Sequence, residues 1–376
     1  MRDMPSTVAR VTPEVLRWAR ESAGHDAAAA AQAAGLYHWQ LDMAEDGQID
    51  ITLSQAERLA EFYDRPLADL FLPEPPDEPS EEALFRRLPG APAPPWGPKM
   101  QKLARRVRAR QDAAAELYGL LEQPPPWLEE GSRLRHIPDS RLSEPMRGAL
   151  GIGIDEQLSW DDSRGYMALR HWIDAVEALG VLVMQDGSMA LEEMRGFASL
   201  DEIVPAIVLN TKDDPRARAF TLIHELGHLL RPTAPEQWCN DFAGDILMPK
   251  VVLRAQFETL AAHDPLKGIG DLARVFSVTP YAAAIRLQRT KALPSNRADH
   301  LIATIRSRQH PPARRGGGGH GGRNKLTWLG PAFVRLVLNA TDAQAIPLSN
   351  AAGLLESKVD TFPGLRQLLE ERDESG

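Results

Sequence analysis

The strongest constraint on this chain of 376 residues is the pattern His-Glu-x-x-His at positions 224 to 228. Residues four apart in a helix lie one turn above each other, so His224 and His228 present two imidazoles from one face. That is the geometry of two ligands to a single zinc ion. Glu225 follows the first histidine and can reach a water beside the metal, so we predict that it acts as a general base.

The segment around this motif is predicted to be a buried helix. Apolar residues recur at helical spacing through Ala219–Leu230 and form a stripe that would face a protein core. They are Phe220, Ile223, Leu226, Leu229 and Leu230. The two histidines lie beside this stripe rather than on a solvated face, so a metal site is favoured over a purely structural pair of histidines.

A catalytic zinc ion usually has three protein ligands and one position for water. The third ligand is expected from the next predicted helix, which begins near Pro235 and ends before Pro249, where a proline cannot continue it. Its acidic candidates are Glu236, Asp241 and Asp245. Helix geometry puts Glu236 on one face and the two aspartates on another, so the residues alone favour Glu236 as the third ligand and keep Asp241 and Asp245 as alternatives.

Four separated blocks carry a family resemblance. They are Ala206–Asn210, Phe220–His228, Glu236–Ala243 and Ile246–Pro249. Together, and in this order, they resemble the ImmA/IrrE family of zinc peptidases. The N-terminal stretch from Val11 to Pro73 resembles the Xre-type helix-turn-helix domain that is often fused to this peptidase.

The resemblance implies a bacterial or phage cytoplasmic protease that cuts a repressor or another helix-turn-helix protein. It also implies that Zn²⁺ is bound by His224, His228 and Glu236 and that Glu225 is catalytic. The expected reaction is metal-assisted peptide hydrolysis, in which Glu225 takes a proton from the attacking water and passes it to the leaving nitrogen. The substrate is therefore expected to be a helix-turn-helix repressor or an antitoxin.

The N-terminal module has the wrong charge for a DNA reader. Four helices are predicted there, at Pro13–Glu21, His25–Ala34, Tyr37–Glu45 and Leu53–Tyr63. Residues 1–75 contain six arginines against thirteen aspartates and glutamates, and no lysine or arginine lies between Glu21 and Glu57. Phosphate neutralisation supplies most of the affinity of DNA binders. DNA binding is possible but disfavoured, and we expect this module to dock a protein or to form a homodimer.

We divide the chain into five segments. They are residues 1–75, the helix-turn-helix module; 76–143, a proline-rich linker and a basic helix; 144–295, the peptidase domain; 296–327, a glycine-rich linker; and 328–376, a helical C-terminal region. A second helix-turn-helix-like unit at 269–291 is expected to pack within the peptidase domain. The basic helix, Pro98–Leu121, is expected to pair its cations with acids elsewhere.

The predicted fold class is mainly α with a small mixed β-sheet (α+β). Strands are expected at Val181–Met184 and Ala206–Leu209. The second of these precedes the zinc helix, and we expect it to pair with an extended substrate by strand addition.

Composition places the chain in a reducing compartment. Cys239 is its only cysteine, which excludes an internal disulfide, and we expect it to be a small buried residue rather than a nucleophile. The sequence shows no signal peptide and no apolar run of about 20 residues, so a cytoplasmic protein without a membrane span is expected. The net charge of −9 weakly disfavours nonspecific adhesion to nucleic acid.

Two other functions remain open at this stage. The chain could be a DNA-binding transcription regulator whose peptidase domain senses a ligand, or an antitoxin-like protein that docks a partner without cutting it. The acidic charge of the N-terminal module disfavours the regulator, which needs DNA affinity. Glu225 argues against a purely structural zinc site, which has no use for a general base and usually closes its fourth position.

Overall fold

The computed structural model describes residues 7–76, 97–160, 162, 164–261, 264–308 and 321–374. The proline-rich stretch at 77–96 and the glycine-rich stretch at 309–320 lie outside these residues. Contacts divide the described chain into two compact units, one ending at Val107 and the other beginning at Arg108. The predicted division into five segments remains a prediction.

The first unit is built from short helices around an alanine-rich core. Its elements are β1 (Val8–Ala9), α1 (Pro13–Ser22), α2 (Ala27–Ala34), α3 (His38–Glu45), β2 (Ile51–Thr52), α4 (Leu53–Tyr63), a 3-10 turn (Leu67–Phe71) and the first half of α5 (Pro98–Leu120). Small side chains let α2 lie close to α3 and α4. Helix α2 starts two residues later than predicted because the Asp26 side chain accepts from the Ala29 N–H and so caps it.

The second unit contains the rest of α5 and all later elements. Its helices are α6 (Pro126–Arg135), α7 (Ser143–Leu150), α8 (Ile154–Ser159), α9 (Tyr166–Ala178), α10 (Pro215–Leu230), α11 (Glu236–Leu247), α12 (Lys250–Leu260), α13 (Pro265–Val275), α14 (Pro280–Arg289), α15 (Ser295–Arg308), α16 (Gly321–Leu329), α17 (Pro331–Asp342), α18 (Leu348–Leu354) and α19 (Phe362–Glu374). Single 3-10 turns occur at Asp139–Arg141 and Val359–Thr361.

A three-stranded sheet lies beside the helix that carries the histidine motif. Its strands are β3 (Leu182–Asp186), β4 (Gly196–Ser199) and β5 (Ala206–Asn210), in the order β3-β5-β4. Strand β5 is parallel to β3 and antiparallel to β4. The prediction of a mainly α protein with a small mixed sheet is confirmed.

The prediction that Ala206–Leu209 receives the substrate is wrong. That segment forms β5, whose two edges are already hydrogen-bonded to β3 and β4, and a strand paired on both sides has no free backbone groups for a third. Among the described strands, β4 is the one that packs against α10 with one edge unpaired by any strand. Strand β4 was not predicted.

Helix α10 is the centre of the second unit. It begins four residues earlier than predicted, at Pro215, because Asp214 caps it by accepting from the Arg216 N–H. Its inward face buries Leu222, Leu226 and Leu229 fully. Burying each such side chain contributes roughly 1.5–3 kcal/mol, so this stripe fixes the helix that bears the histidines.

The predicted linker at 296–327 contains parts of two helices. The stretch 296–327 begins inside α15 and ends inside α16, where glycine and polar composition suggested a flexible linker. Ala298 and Ile305 bury against the core, and this packing outweighs the polar composition of α15. In 76–143, the basic helix predicted at Pro98–Leu121 corresponds to α5, and α6 follows it. None of the described helices is long and apolar enough to cross a membrane.

Candidate metal centre

Three predicted ligands converge in the structure. The Nε2 atoms of His224 and His228 lie 3.2 Å apart. The carboxylate of Glu236 reaches both, with its Oε2 3.1 Å from the Nε2 of His224 and its Oε1 3.3 Å from the Nε2 of His228. Among the described residues, these three form the group of side chains that could hold a metal ion.

The spacing of these atoms fits a tetrahedral ion. With metal–ligand bonds of about 2.0–2.1 Å and tetrahedral angles, neighbouring ligand atoms stand roughly 3.3 Å apart. The 3.2 Å between the two Nε2 atoms agrees with that value, and each Nε2 lies at a similar distance, 3.1 or 3.3 Å, from one of the two carboxylate oxygens of Glu236. Two imidazole nitrogens and one carboxylate also form a donor set that suits zinc and leaves a fourth position open.

The outer nitrogens of both imidazoles have partners. The Nδ1 of His224 donates to the Oδ1 of Asn240 over 3.1 Å, and the Nδ1 of His228 lies 3.4 Å from the Sγ of Cys239. A proton held on Nδ1 leaves the lone pair on Nε2, the atom that faces the cluster. Burial lowers the pKa of both histidines, and for His224 the neighbouring His228 lowers the pKa further, which favours the neutral form that binds metals.

Glu225 lies next to the cluster and contacts the sheet. Its carboxylate accepts a hydrogen bond from the backbone N–H of Ala198 in β4. Burial raises its pKa to about 8, and the nearby charge of Glu236 acts in the same direction. Glu225 is therefore a carboxyl group that exchanges a proton near neutral pH in the metal-free protein.

The two alternative ligands point elsewhere. The carboxylate of Asp241 pairs with Arg289 at 2.9 Å. That of Asp245 pairs with Arg286, whose side chain is almost fully buried. Each aspartate is thus engaged by a guanidinium of α14, so the structure brings Glu236 to the histidines and holds Asp241 and Asp245 away from them.

Close packing of α11 on α10 sets the distance between the ligands. A Cβ on Gly227 would lie 3.1 Å from Cδ1 of Phe242 and 3.4 Å from Cζ3 of Trp238. Glycine at this position therefore lets the two aromatic side chains of α11 rest on the backbone of α10, which brings Glu236 within reach of the histidines.

Cys239 packs in the same contact between α10 and α11. Its side chain is completely buried, and burial raises the pKa of its thiol to about 12. A neutral, enclosed thiol is a poor nucleophile.

Sequence reasoning missed two parts of this site. Ala198 lies in a four-residue strand that carries no clear alternation, so its contact with Glu225 had no signal in the sequence. Asn240 was placed on the face of Glu236, four residues on, but its hydrogen bond to a ligand was not predicted. A search for polar residues one turn after the third ligand could have found it.

Comparison with known proteins places this site in a recognised domain. A family model matches residues 176–288, and its description is Peptidase_M78, the IrrE N-terminal-like domain. The matched range covers under a third of the chain and runs from the end of α9 through the sheet, α10 and α11 to α14. No curated protein matches the chain. The match supports a metallopeptidase-type activity of the ImmA/IrrE kind, with a metal as cofactor.

Proposed function

We propose that this protein is a zinc-dependent endopeptidase that hydrolyses a peptide bond in a regulatory protein, such as a helix-turn-helix repressor or an antitoxin. The observation that carries the proposal is the convergence of His224, His228 and Glu236 on one point beside Glu225. The single cysteine agrees with a cytoplasmic location, which belongs to the same proposal.

His224, His228 and Glu236 would hold the ion. When bound, zinc would polarise the scissile carbonyl and lower the pKa of a water. Asn240 fixes the orientation of His224 by accepting a hydrogen bond from its Nδ1–H, and Cys239 contacts the Nδ1 of His228.

Glu225 would move the proton. Its carboxylate would take a proton from the attacking water and later deliver it to the leaving nitrogen. Its pKa of about 8 belongs to the metal-free protein, and a cation at the ligand cluster would lower it by favouring the carboxylate. The group would then be ionised at neutral pH, as a general base must be.

Strand β4 is proposed to bind the substrate backbone. The N–H of Asn210 donates to the carbonyl of Arg195 just before the strand. In an antiparallel ladder, hydrogen-bonded pairs alternate with non-hydrogen-bonded ones. Given the pairing of Ala198 with Ile207, the backbone groups of Gly196 and Ala198 point away from β5. Because the N–H of Ala198 already donates to Glu225, an extended peptide could pair with both backbone groups of Gly196 and with the carbonyl of Ala198, and so cross the ligand cluster.

The first unit is proposed to dock a protein rather than DNA. Tyr37 and Trp39, at the start of α3, are 71 % and 56 % exposed and their rings stack at 6.4 Å. Exposed aromatic side chains are typical of protein interfaces. Arginines that could hold a phosphate backbone are already used inside the unit, since Arg20 pairs with Glu45 and Arg65 lies over Trp18. A homodimer would use the same kind of surface.

The proposal is tested by cleavage. The full-length protein with zinc is incubated with purified helix-turn-helix proteins from the same genome and with fluorescein-labelled casein, and products are identified by mass spectrometry. We expect Glu225→Gln to reduce cleavage at least about 100-fold, since general acid–base catalysis contributes 10²–10⁴. Glu258→Gln makes the same chemical change at an exposed position of α12 and should cut like the wild type.

Absence of cleavage by zinc-loaded wild-type protein would reject the peptidase. Specific DNA binding by that protein would favour the transcription regulator. Stable capture of one helix-turn-helix protein without cutting would favour the antitoxin-like binding protein, with Tyr37 and Trp39 as its expected contacts.

A further inference from the structure

Pairing with β5 alone does not hold the backbone of the short strand β4 in place. It has four residues, and β5 is its one strand neighbour among the described elements. Its Gly196 approaches α10 so closely that a Cβ there would lie 2.5 Å from Cγ2 of Thr221. A short edge strand tends to fray, yet this one holds the N–H that contacts Glu225.

A glutamine of α5 binds the far end of this strand. The side chain of Gln111 is 1 % exposed. Its Nε2 donates to two carbonyl oxygens, that of Ser199 at 3.2 Å and that of Val204 at 3.0 Å. Its Oε1 accepts from the Oγ of Ser199 at 2.8 Å. One amide thus joins the last residue of β4 to the residue that lies two positions before β5.

A second contact from α5 holds the connection between β4 and β5. Arg108, one turn before Gln111, pairs with Asp201 at 2.9 Å. Asp201 in turn accepts from the backbone N–H groups of Ile203 at 2.8 Å and Val204 at 2.9 Å. The connection between β4 and β5 is therefore held from inside by Asp201 and from α5 by Arg108 and Gln111.

We propose that Gln111, supported by Arg108, is a positioning residue for the peptidase reaction: it fixes the backbone of β4 so that Ala198 meets Glu225 and the open edge meets the substrate. This inference rests on the proposed function. Ser199, which Gln111 holds at both its carbonyl and its hydroxyl, directly follows Ala198. Buried hydrogen bonds of this kind fix geometry because leaving their partners unpaired is costly.

The proposal is tested with Gln111→Leu in the full-length, zinc-loaded protein, using fluorescein-labelled casein as the probe. We expect kcat/KM to fall at least tenfold, with both a higher KM and a lower kcat, while the zinc content stays at the wild-type level. Gln111→Glu keeps an acceptor for Ser199 but places a carboxylate against two carbonyl oxygens, so it should not restore activity.

The matched control is Gln157→Leu. Gln157 is also a fully buried glutamine of the second unit, and its Nε2 donates to the carbonyl oxygens of Leu247 and Phe276 at 2.9 Å and 3.4 Å. It makes no hydrogen bond to β4. If Gln111 acted only through overall stability, the two leucine variants would lose activity together, and that result would overturn the proposal.

Ser199→Ala keeps the test decisive if Gln111→Leu fails to fold. It removes one of the three hydrogen bonds to Gln111, and we expect a two- to fivefold loss of kcat/KM. Unchanged kcat/KM in Ser199→Ala would contradict the inference. Where Gln111→Leu folds, the two losses should not multiply in a Gln111→Leu/Ser199→Ala double variant, because both changes act on one contact. Independent effects would contradict the inference.

Hydrogen exchange separates this inference from the proposed function. The amides of 196–204 should exchange at least tenfold faster in Gln111→Leu and at the wild-type rate in Gln157→Leu. Faster exchange in Gln111→Leu, with a wild type that cleaves neither casein nor the helix-turn-helix proteins, would reject the peptidase and keep the support of β4 by Gln111. Unchanged exchange in this segment would reject the positioning role, whatever the activity of the wild type.

Discussion

Removing the side-chain amide of Asn240 should weaken metal binding without touching a ligand. Its Oδ1 accepts a hydrogen bond from the Nδ1–H of His224, with 3.1 Å between the two heavy atoms, and this bond presents the Nε2 of His224 to the cluster. Loss of such an outer partner typically costs 10- to 100-fold in metal affinity. Because Asn240 is exposed and water can replace it, we expect Asn240→Ala to lie at the lower end, about tenfold or about 1.4 kcal/mol.

The measurement is a competition titration of zinc against a chromophoric chelator at fixed pH. Gln237→Ala is the matched control, since Gln237 also lies exposed on α11 but its hydrogen bonds go to Asp241 and Arg289. Asn240→Asp keeps an acceptor at the same place and should restore the affinity. Wild-type zinc affinity in Asn240→Ala would refute the reasoning that this hydrogen bond selects the metal-binding nitrogen.

Three further changes have defined outcomes. Gly227→Ala should push α11 from α10 and lower zinc affinity, measured by the same titration, because its Cβ would meet Phe242 at 3.1 Å; unchanged affinity would contradict this. Leu222→Ala should cost about 2–5 kcal/mol in urea unfolding, because Leu222 is fully buried; a loss below 1 kcal/mol would contradict the core assignment. Burial raises the pKa of Glu177 from 4.5 to about 8. Between pH 4.5 and 8, the native state therefore binds a proton at Glu177 that the unfolded chain has lost. The stabilisation of the native state by this proton is complete below pH 4.5 and is lost as the pH rises to 8. Glu177→Gln should remove that slope, at most about 1.4 kcal/mol per pH unit; parallel pH profiles of unfolding free energy for both proteins would refute it.

Strong local signals made much of the fold predictable. Helix α4 has the predicted bounds, Leu53–Tyr63, because Thr52 and Gln55 form a capping box at its start. The spacing of His224 and His228 places both imidazoles on one face of α10, and the structure brings their Nε2 atoms together. These features depend on residues close in sequence, which is why a pattern could indicate them.

Features that depend on distant contacts were not predictable. Strand β4 is too short for its alternation to stand out, and its place is set by β5 and α10. Gln111 lies in a helix whose basic residues suggested a solvated face, yet it is buried against a loop 88 positions later. Helix geometry favoured Glu236 over Asp241 and Asp245, but the two aspartates could be excluded only once the arginines of α14 were placed.

The charges of the N-terminal module and of the basic helix were informative without identifying a partner. Arg108 and Arg110 of the basic helix pair with Asp201 and Glu356, in agreement with the predicted pairing with acids. The expectation that the first unit avoids DNA remains a prediction, supported by the internal use of Arg20 and Arg65.

The central claim is that one zinc ion is held by His224, His228 and Glu236. Elemental analysis of the purified full-length protein beside Glu236→Ala and Asp241→Ala tests it most directly. We predict one zinc per chain in the wild type and in Asp241→Ala, and loss of zinc in Glu236→Ala. Zinc retained by Glu236→Ala but lost from Asp241→Ala, or no zinc in the wild type after incubation with the metal, would contradict the account.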